Sequence, residues 1–236
     1  MIERNRCFAN LTAGYLFPEV ARRSKTYAAS HPDAKLISLS IGNTTEPLEP
    51  HISSAMSDYA RALATPEGYS GYGDEQGLFE LRKKIAETFY EGIAEADEVF
   101  ISDGAKCDIA RIQLLFGCGV RVAVQDPAYP VYVDGSVIAG AAGGQKADGS
   151  GYEGITYMPC TAENGFFPDL TKVRDNSIIY FCSPNNPTGR IYAAEDIASL
   201  SDALREHGKK CGRMPSLICD EPYRAITYDG KKVLPV

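Results

Sequence analysis

Hydrophobic and polar positions follow two regimes along this chain. Up to Glu98 the apolar residues are sparse and irregular; beyond it, short apolar runs alternate with amphipathic ones. In the first regime, residues 11–30 predict a short helix after Pro18, and residues 35–41 alternate as a strand ending at Gly42. Residues 47–64 predict a helix, broken by Thr65-Pro66-Glu67-Gly68. Residues 78–90 predict another, with Leu78, Leu81, Ile85 and Phe89 on one face. In the second regime, strands are predicted at 99–101, 120–124, 155–158, 177–182 and 217–219, and helices at 105–116, 132–138 and 194–207. A glycine-rich stretch over 140–154 reads as a surface loop. Strands alternating with helices define an α/β fold with a mainly parallel sheet and right-handed crossovers. Such folds place their ligands at the carboxyl ends of the strands.

Composition narrows the function classes. The 236 residues suit one large domain or one and a half smaller ones, and 44% hydrophobic residues allow a substantial core. A net charge of −7 with no basic run argues against nucleic acid or an anionic membrane as partner. No apolar stretch approaches a membrane span. The start, Met1-Ile2-Glu3-Arg4-Asn5-Arg6, leads into no signal-peptide core and lacks the bias of a transit peptide, so a cytoplasmic protein is expected. The seven cysteines are scattered and never spaced C-x-x-C, which predicts free thiols in a reducing compartment. His31, His51 and His207 lack metal-ligand spacing, so no metal site is expected.

Candidate chemistry gathers where predicted strands end. Ser102-Asp103-Gly104-Ala105-Lys106 joins a strand to a helix, and the first amides of that helix form a ready phosphate site to which Lys106 adds charge. A plain turn with Asp103 as N-cap explains the same residues. In Gln125-Asp126-Pro127-Ala128-Tyr129-Pro130 two prolines stiffen the backbone around Tyr129, which can stack on a planar ring or simply pack in a turn. Ser183-Pro184-Asn185-Asn186-Pro187-Thr188-Gly189 is a stiff polar loop presenting the Asn186 amide, or closing on itself through an Asx-turn. Asp220 ends an apolar strand; a carboxylate there needs a cationic or hydrogen-bonding partner, or else caps the turn beyond it. Tyr223 returns to the same side. No nucleotide-binding glycine fingerprint is present.

Asn-Pro-Thr-Gly followed by Asp-x-x-Tyr resembles the fold-type I aminotransferases, which use pyridoxal phosphate (PLP). Longer runs are similar to the LL-diaminopimelate aminotransferases: Tyr15-Leu16-Phe17, residues 39–45, Gly71-Tyr72-Gly73-Asp74-Glu75-Gln76-Gly77, and residues 101–109, 124–132 and 161–170. The resemblance spans about residues 10–189 and implies a PLP-dependent transferase fold. It implies an arm and small-domain segment over residues 1–50 and a large cofactor-binding domain over 51–236, incomplete at its end. The implied reaction moves an amino group from LL-2,6-diaminopimelate to 2-oxoglutarate, or the reverse, within lysine biosynthesis. By matched position, Ala105 and Lys106 bind the PLP phosphate, Tyr129 stacks on the ring, and Asn186 and Tyr223 hold its phenolic oxygen. Asp220 faces the pyridine nitrogen. Tyr72 reaches the phosphate of the partner subunit, because these enzymes are homodimers with shared sites. Tyr15 and Gly42 lie at the substrate with Lys106, Tyr129 and Asn186, and Glu75 at its distal ammonium, a contact that simple charge complementarity also favours.

The sequence departs from that pattern twice. The family's Ser-Phe-Ser-Lys segment, whose lysine forms the Schiff base with the cofactor, has no counterpart before Val236, which predicts an inactive fragment. Asp220-Glu221-Pro222-Tyr223-Arg224 is more similar to other class I aminotransferases. Two further readings therefore stay open: a generic class I aminotransferase or PLP lyase, and a non-catalytic product that only dimerises with a longer relative.

Overall fold

A computed structural model describes residues 2–11, 16–39, 42, 46–173, 178–230 and 233–236. The chain divides into two compact units, one of residues 12–101 and one of residues 1–11 with 102–236.

The described residues of the first unit form the α-helices α1 (Leu16–Ser30), α2 (Pro50–Ala62) and α3 (Phe79–Thr88). Pro50 opens α2, where its missing N–H costs nothing. The chain leaves α2 through a turn so tight that a Cβ on Gly68 would clash with the carbonyl oxygen of Ala62. The expected apolar face of α3 is not its buried one. Leu78, Leu81 and Phe89 are exposed, and the buried side chains are Arg82 and Ala86. Arg82 is buried because its guanidinium donates to the carbonyls of Gly77 (3.1 Å) and Ala96 (2.7 Å), tying both flanks of the helix together. The two strands expected in this unit do not form among the described residues. Residues 35–39 have no ladder partner, and Leu39 is 92% exposed. Residues 99–101 are extended but make one cross-chain backbone bond, from the Ile101 N–H to the Gln76 carbonyl (2.8 Å). Alternation makes a strand possible; only a neighbouring strand makes it one.

The second unit holds the sheet. Its elements run α4 (Ala105–Phe116), β1 (Val122–Asp126), α5 (Val131–Ile138), β2 (Ile155–Pro159), β3 (Ile178–Cys182), α6 (Ala194–Cys211) and β4 (Ser216–Asp220). All pairings are parallel, in the order β2-β1-β3-β4. Both faces are covered. Val122, Val124, Ile178 and Tyr180 pack against α4 and α5, while Ala123, Ile179 and Phe181 pack with Leu200 and Leu204 of α6. Burial on both faces explains why these strands read as unbroken apolar runs. The glycine-rich stretch is only partly the expected loop: Ala141, Ala142 and Tyr152 belong to the core, and Gln145 bridges to Tyr152. Tyr152 also donates to the Asn10 carbonyl (2.8 Å), holding the N-terminal segment to this unit.

The strand order reverses direction between β1 and β3, and a crevice opens there at the carboxyl ends. The β1–β3 ladder pairs Val122–Val124 with Ile178–Tyr180. Beyond it the Gln125 side chain takes over, accepting the Cys182 N–H (2.7 Å) and donating to the Tyr192 hydroxyl (2.7 Å). The strands are thus held at a fixed gap beside the crevice without a backbone bond across it.

Candidate active site

A cavity of about 190 Å³ lies at this crevice. Ala105 and Lys106 reach it from the start of α4, Tyr129 from the loop after β1, Asn186 from the loop after β3, and Asp220 and Tyr223 from the end of β4. Tyr132 and Cys182 line its inner side.

The start of α4 is built on Gly104, whose φ of 124° and ψ of 152° suit glycine alone. Gly104, not the expected Asp103, occupies the N-cap. Asp103 instead accepts from Arg111 (2.6 and 3.1 Å), whose guanidinium holds the carboxyl below its ordinary range. The first intrahelical bond runs from the Cys107 N–H to the Gly104 carbonyl (3.0 Å), so the amides of Ala105 and Lys106 precede it at the positive end of the helix.

Asp220 is buried and accepts the Tyr132 hydroxyl at 2.6 Å. Burial pushes its carboxyl above the ordinary value, and the Tyr132 bond pulls it back down. A buried acid of this kind favours a cationic partner in the cavity. The Asn186 amide donates to the Tyr223 hydroxyl (3.1 Å), which places two hydrogen-bonding groups side by side in the same cavity. Burial raises the Tyr223 phenol, so it stays a neutral donor. The loop bearing Asn186 is braced from behind: the Asn185 N–H donates to the Arg190 carbonyl (3.0 Å) and the Gly189 N–H to the Asn185 carbonyl (2.7 Å).

These features fit PLP residue by residue. The helix start suits a phosphate, the buried acid a pyridinium nitrogen, the paired amide and phenol a phenolate oxygen, and Tyr129 the flat face of a ring. Tyr132 and Cys182 were not singled out by sequence. The one available signal for Tyr132 was its closeness in sequence to Tyr129, across the Pro130 that opens a helix.

Gly42, Tyr72 and Glu75 belong to the first unit and are exposed there; Tyr15 lies outside the described residues. Among the described residues no group of three or more His, Cys, Asp or Glu could hold a metal ion, and no helix is long and apolar enough to cross a membrane.

A doubly covered parallel sheet with this site at its switch point is the arrangement of a PLP-dependent transferase of fold type I. The sequence matches the family of class I and II aminotransferases over residues 34–235, and the chain belongs to that family, whose members depend on PLP. It is 53% identical over 208 residues to the chloroplastic LL-diaminopimelate aminotransferase of Arabidopsis thaliana, covering 88% of this chain and 45% of that protein. It is 48% identical over 200 residues to LL-diaminopimelate aminotransferase of Protochlamydia amoebophila, covering 85% and 49%. Among solved structures, the L,L-diaminopimelate aminotransferase of Chlamydomonas reinhardtii superposes with a TM-score of 0.85 at 50% identity, over 98% of this chain and 55% of that one. The chain spans about half the length of the curated relatives it matches.

Proposed function

We propose that the protein to which this chain belongs transfers an amino group between LL-2,6-diaminopimelate and 2-oxoglutarate. The observation that carries this reading is the convergence of Asp220, Asn186, Tyr223, Tyr129 and the first amides of α4 on one cavity. Identity near 50% to enzymes named for that substrate supports it.

Bound PLP supplies an electron sink for the α-carbon of the amino acid. The residues of this chain would bind and orient it. Asp220 holds a proton on the pyridine nitrogen, which keeps the sink deep. Ala105 and Lys106 anchor the phosphate, and Tyr129 covers one ring face. Asn186 and Tyr223 would hold its phenolic oxygen through hydrogen bonds. Tyr15, Gly42 and Glu75 complete the substrate contacts, with Glu75 selecting a second ammonium. Tyr72 serves the partner's site in a homodimer. In this reading residues 1–50 form an arm and small-domain segment, and 51–236 belong to the cofactor-binding domain. The compartment is read as cytoplasmic, although the plant relatives are named chloroplastic.

The test is an assay of the full-length protein with LL-diaminopimelate, aspartate and aromatic amino acids as donors. Preference for diaminopimelate by at least about tenfold in kcat/KM is expected, since a donor without the distal ammonium strands a charged contact. Equal use of aspartate would favour a generic class I aminotransferase, the reading that Asp220-Glu221-Pro222-Tyr223-Arg224 suggests.

A further inference from the structure

We infer that Tyr132 is a positioning residue for the acid of this site: its hydroxyl takes Oδ2 of Asp220 and fixes the carboxylate that lines the cavity. The inference rests on the reading of the cavity as a PLP site.

Tyr132 is held at both ends. Its ring is 1% exposed, stacks on Tyr180 (centroids 5.0 Å apart, planes at 10°) and meets Tyr129 edge-on (5.9 Å, 83°). Its carbonyl accepts the Ser136 hydroxyl (2.7 Å), which in turn accepts from Gln113 (3.0 Å). With ring and backbone both fixed, the hydroxyl is brought to Asp220 at 2.6 Å, beside the Cys182 thiol. A bond this short to a carboxylate has charge-assisted character. Among the described residues Tyr132 is the hydrogen-bond donor to that carboxylate.

The other titratable groups around Asp220 do not substitute for it. Cys182 on β3 and Tyr223 after β4 face the acid, and burial raises both, so each stays neutral and adds no charge beside it. Lys106 of α4 lines the same cavity but stands at the phosphate end in this reading. Tyr132 therefore opposes the desolvation of Asp220, and its contact with Tyr129 couples the ring-facing aromatic to the ring-facing acid.

The test compares Y132F and Y180F in the full-length protein. Tyr180 is as deeply buried and belongs to the same stack, but its hydroxyl lies toward Gln113, so Y180F removes the same atom without touching Asp220. PLP affinity is measured by absorbance and fluorescence across pH, and the Asp220 carboxyl is followed by 13C NMR in cofactor-free protein. Y132F should weaken PLP binding roughly tenfold at neutral pH, as loss of a bond to a charged group implies, and move the acid limb and the Asp220 titration to higher pH. Y180F should leave each within about twofold of wild type, as expected away from the acid. Unchanged Asp220 titration in Y132F, or an equal shift in Y180F, overturns the inference while leaving PLP binding by the wild type intact. Failure of the wild type to bind PLP sinks the cofactor reading instead, and the titration then decides the role of Tyr132 alone. Should Y132F not fold, 3-fluorotyrosine placed at position 132 supplies a more acidic phenol of nearly the same shape. It should lower the Asp220 titration, and no movement counts against the inference.

Discussion

Burial works against the charge of Asp220 and the Tyr132 bond works for it, and that tension gives a testable link between stability and function. Burial raises its carboxyl in the folded protein above the unfolded value of about 4. Folding then takes up a proton between the two values. The contribution to stability is complete below the unfolded value and is lost as pH rises through the folded one. Asp220→Asn keeps an acceptor for Tyr132 and removes the charge. Cofactor-free D220N should melt higher than wild type at neutral pH, and the two curves should converge near about pH 4. The same change should cut kcat by roughly 10²- to 10³-fold, as removal of one preorganised electrostatic partner does elsewhere. Thermal melts across pH, set beside steady-state rates, check both; parallel melting curves at every pH would remove the premise.

At the scale of elements, the site depends on two backbone devices. Gly104 starts α4 at a positive φ where a Cβ would meet nothing within 4 Å, so the cost of a side chain is purely conformational. Gly104→Ala should cost roughly 1–3 kcal/mol in folding and turn the first amides of the helix. Affinity for PLP should fall while affinity for pyridoxal, which lacks the phosphate, stays put; equal losses for both ligands would refute a phosphate role for this turn. Gln125 is the second device. Gln125→Leu strands the Cys182 amide beside the crevice, a cost of roughly 1–3 kcal/mol that chemical denaturation can read. These devices were unevenly legible in the sequence. The helix over 105–116 was readable because its period and its glycine start are local, and the strand ends announced Tyr129, Asn186 and Asp220 through proline and apolar context. Residues 35–39 and 99–101 misled because strand pairing is decided by distant partners that alternation does not reveal. Tyr132 and Asp220 are 88 positions apart, and Gln125 bridges to residues 57 and 67 positions away; no local pattern encodes such pairs. Arg82 hid among charged neighbours because its burial depends on carbonyls at both ends of its helix.

At the scale of the whole molecule, the question is which subunit uses Tyr72. Its ring is fully exposed, between Gly71 and Gly73, each with open space around it. An aromatic so placed gains most by being covered, and the proposed homodimer with shared sites would cover it at the partner's phosphate. That geometry predicts complementation between two inactive proteins. Full-length Y72A lacks the donated tyrosine, and full-length D220N lacks the acid. In a hybrid dimer, one site combines the intact Asp220 of the first subunit with the intact Tyr72 of the second, while the other site carries both defects. Mixed in equal amounts and allowed to exchange, half the dimers are hybrids with one sound site in two. Activity should therefore recover to about a quarter of wild type, with each parent near its own low baseline. If Tyr72 served its own subunit, every hybrid site would carry one defect and mixing would restore nothing. The recovered fraction, read against the hybrid content from native mass spectrometry, separates the two arrangements.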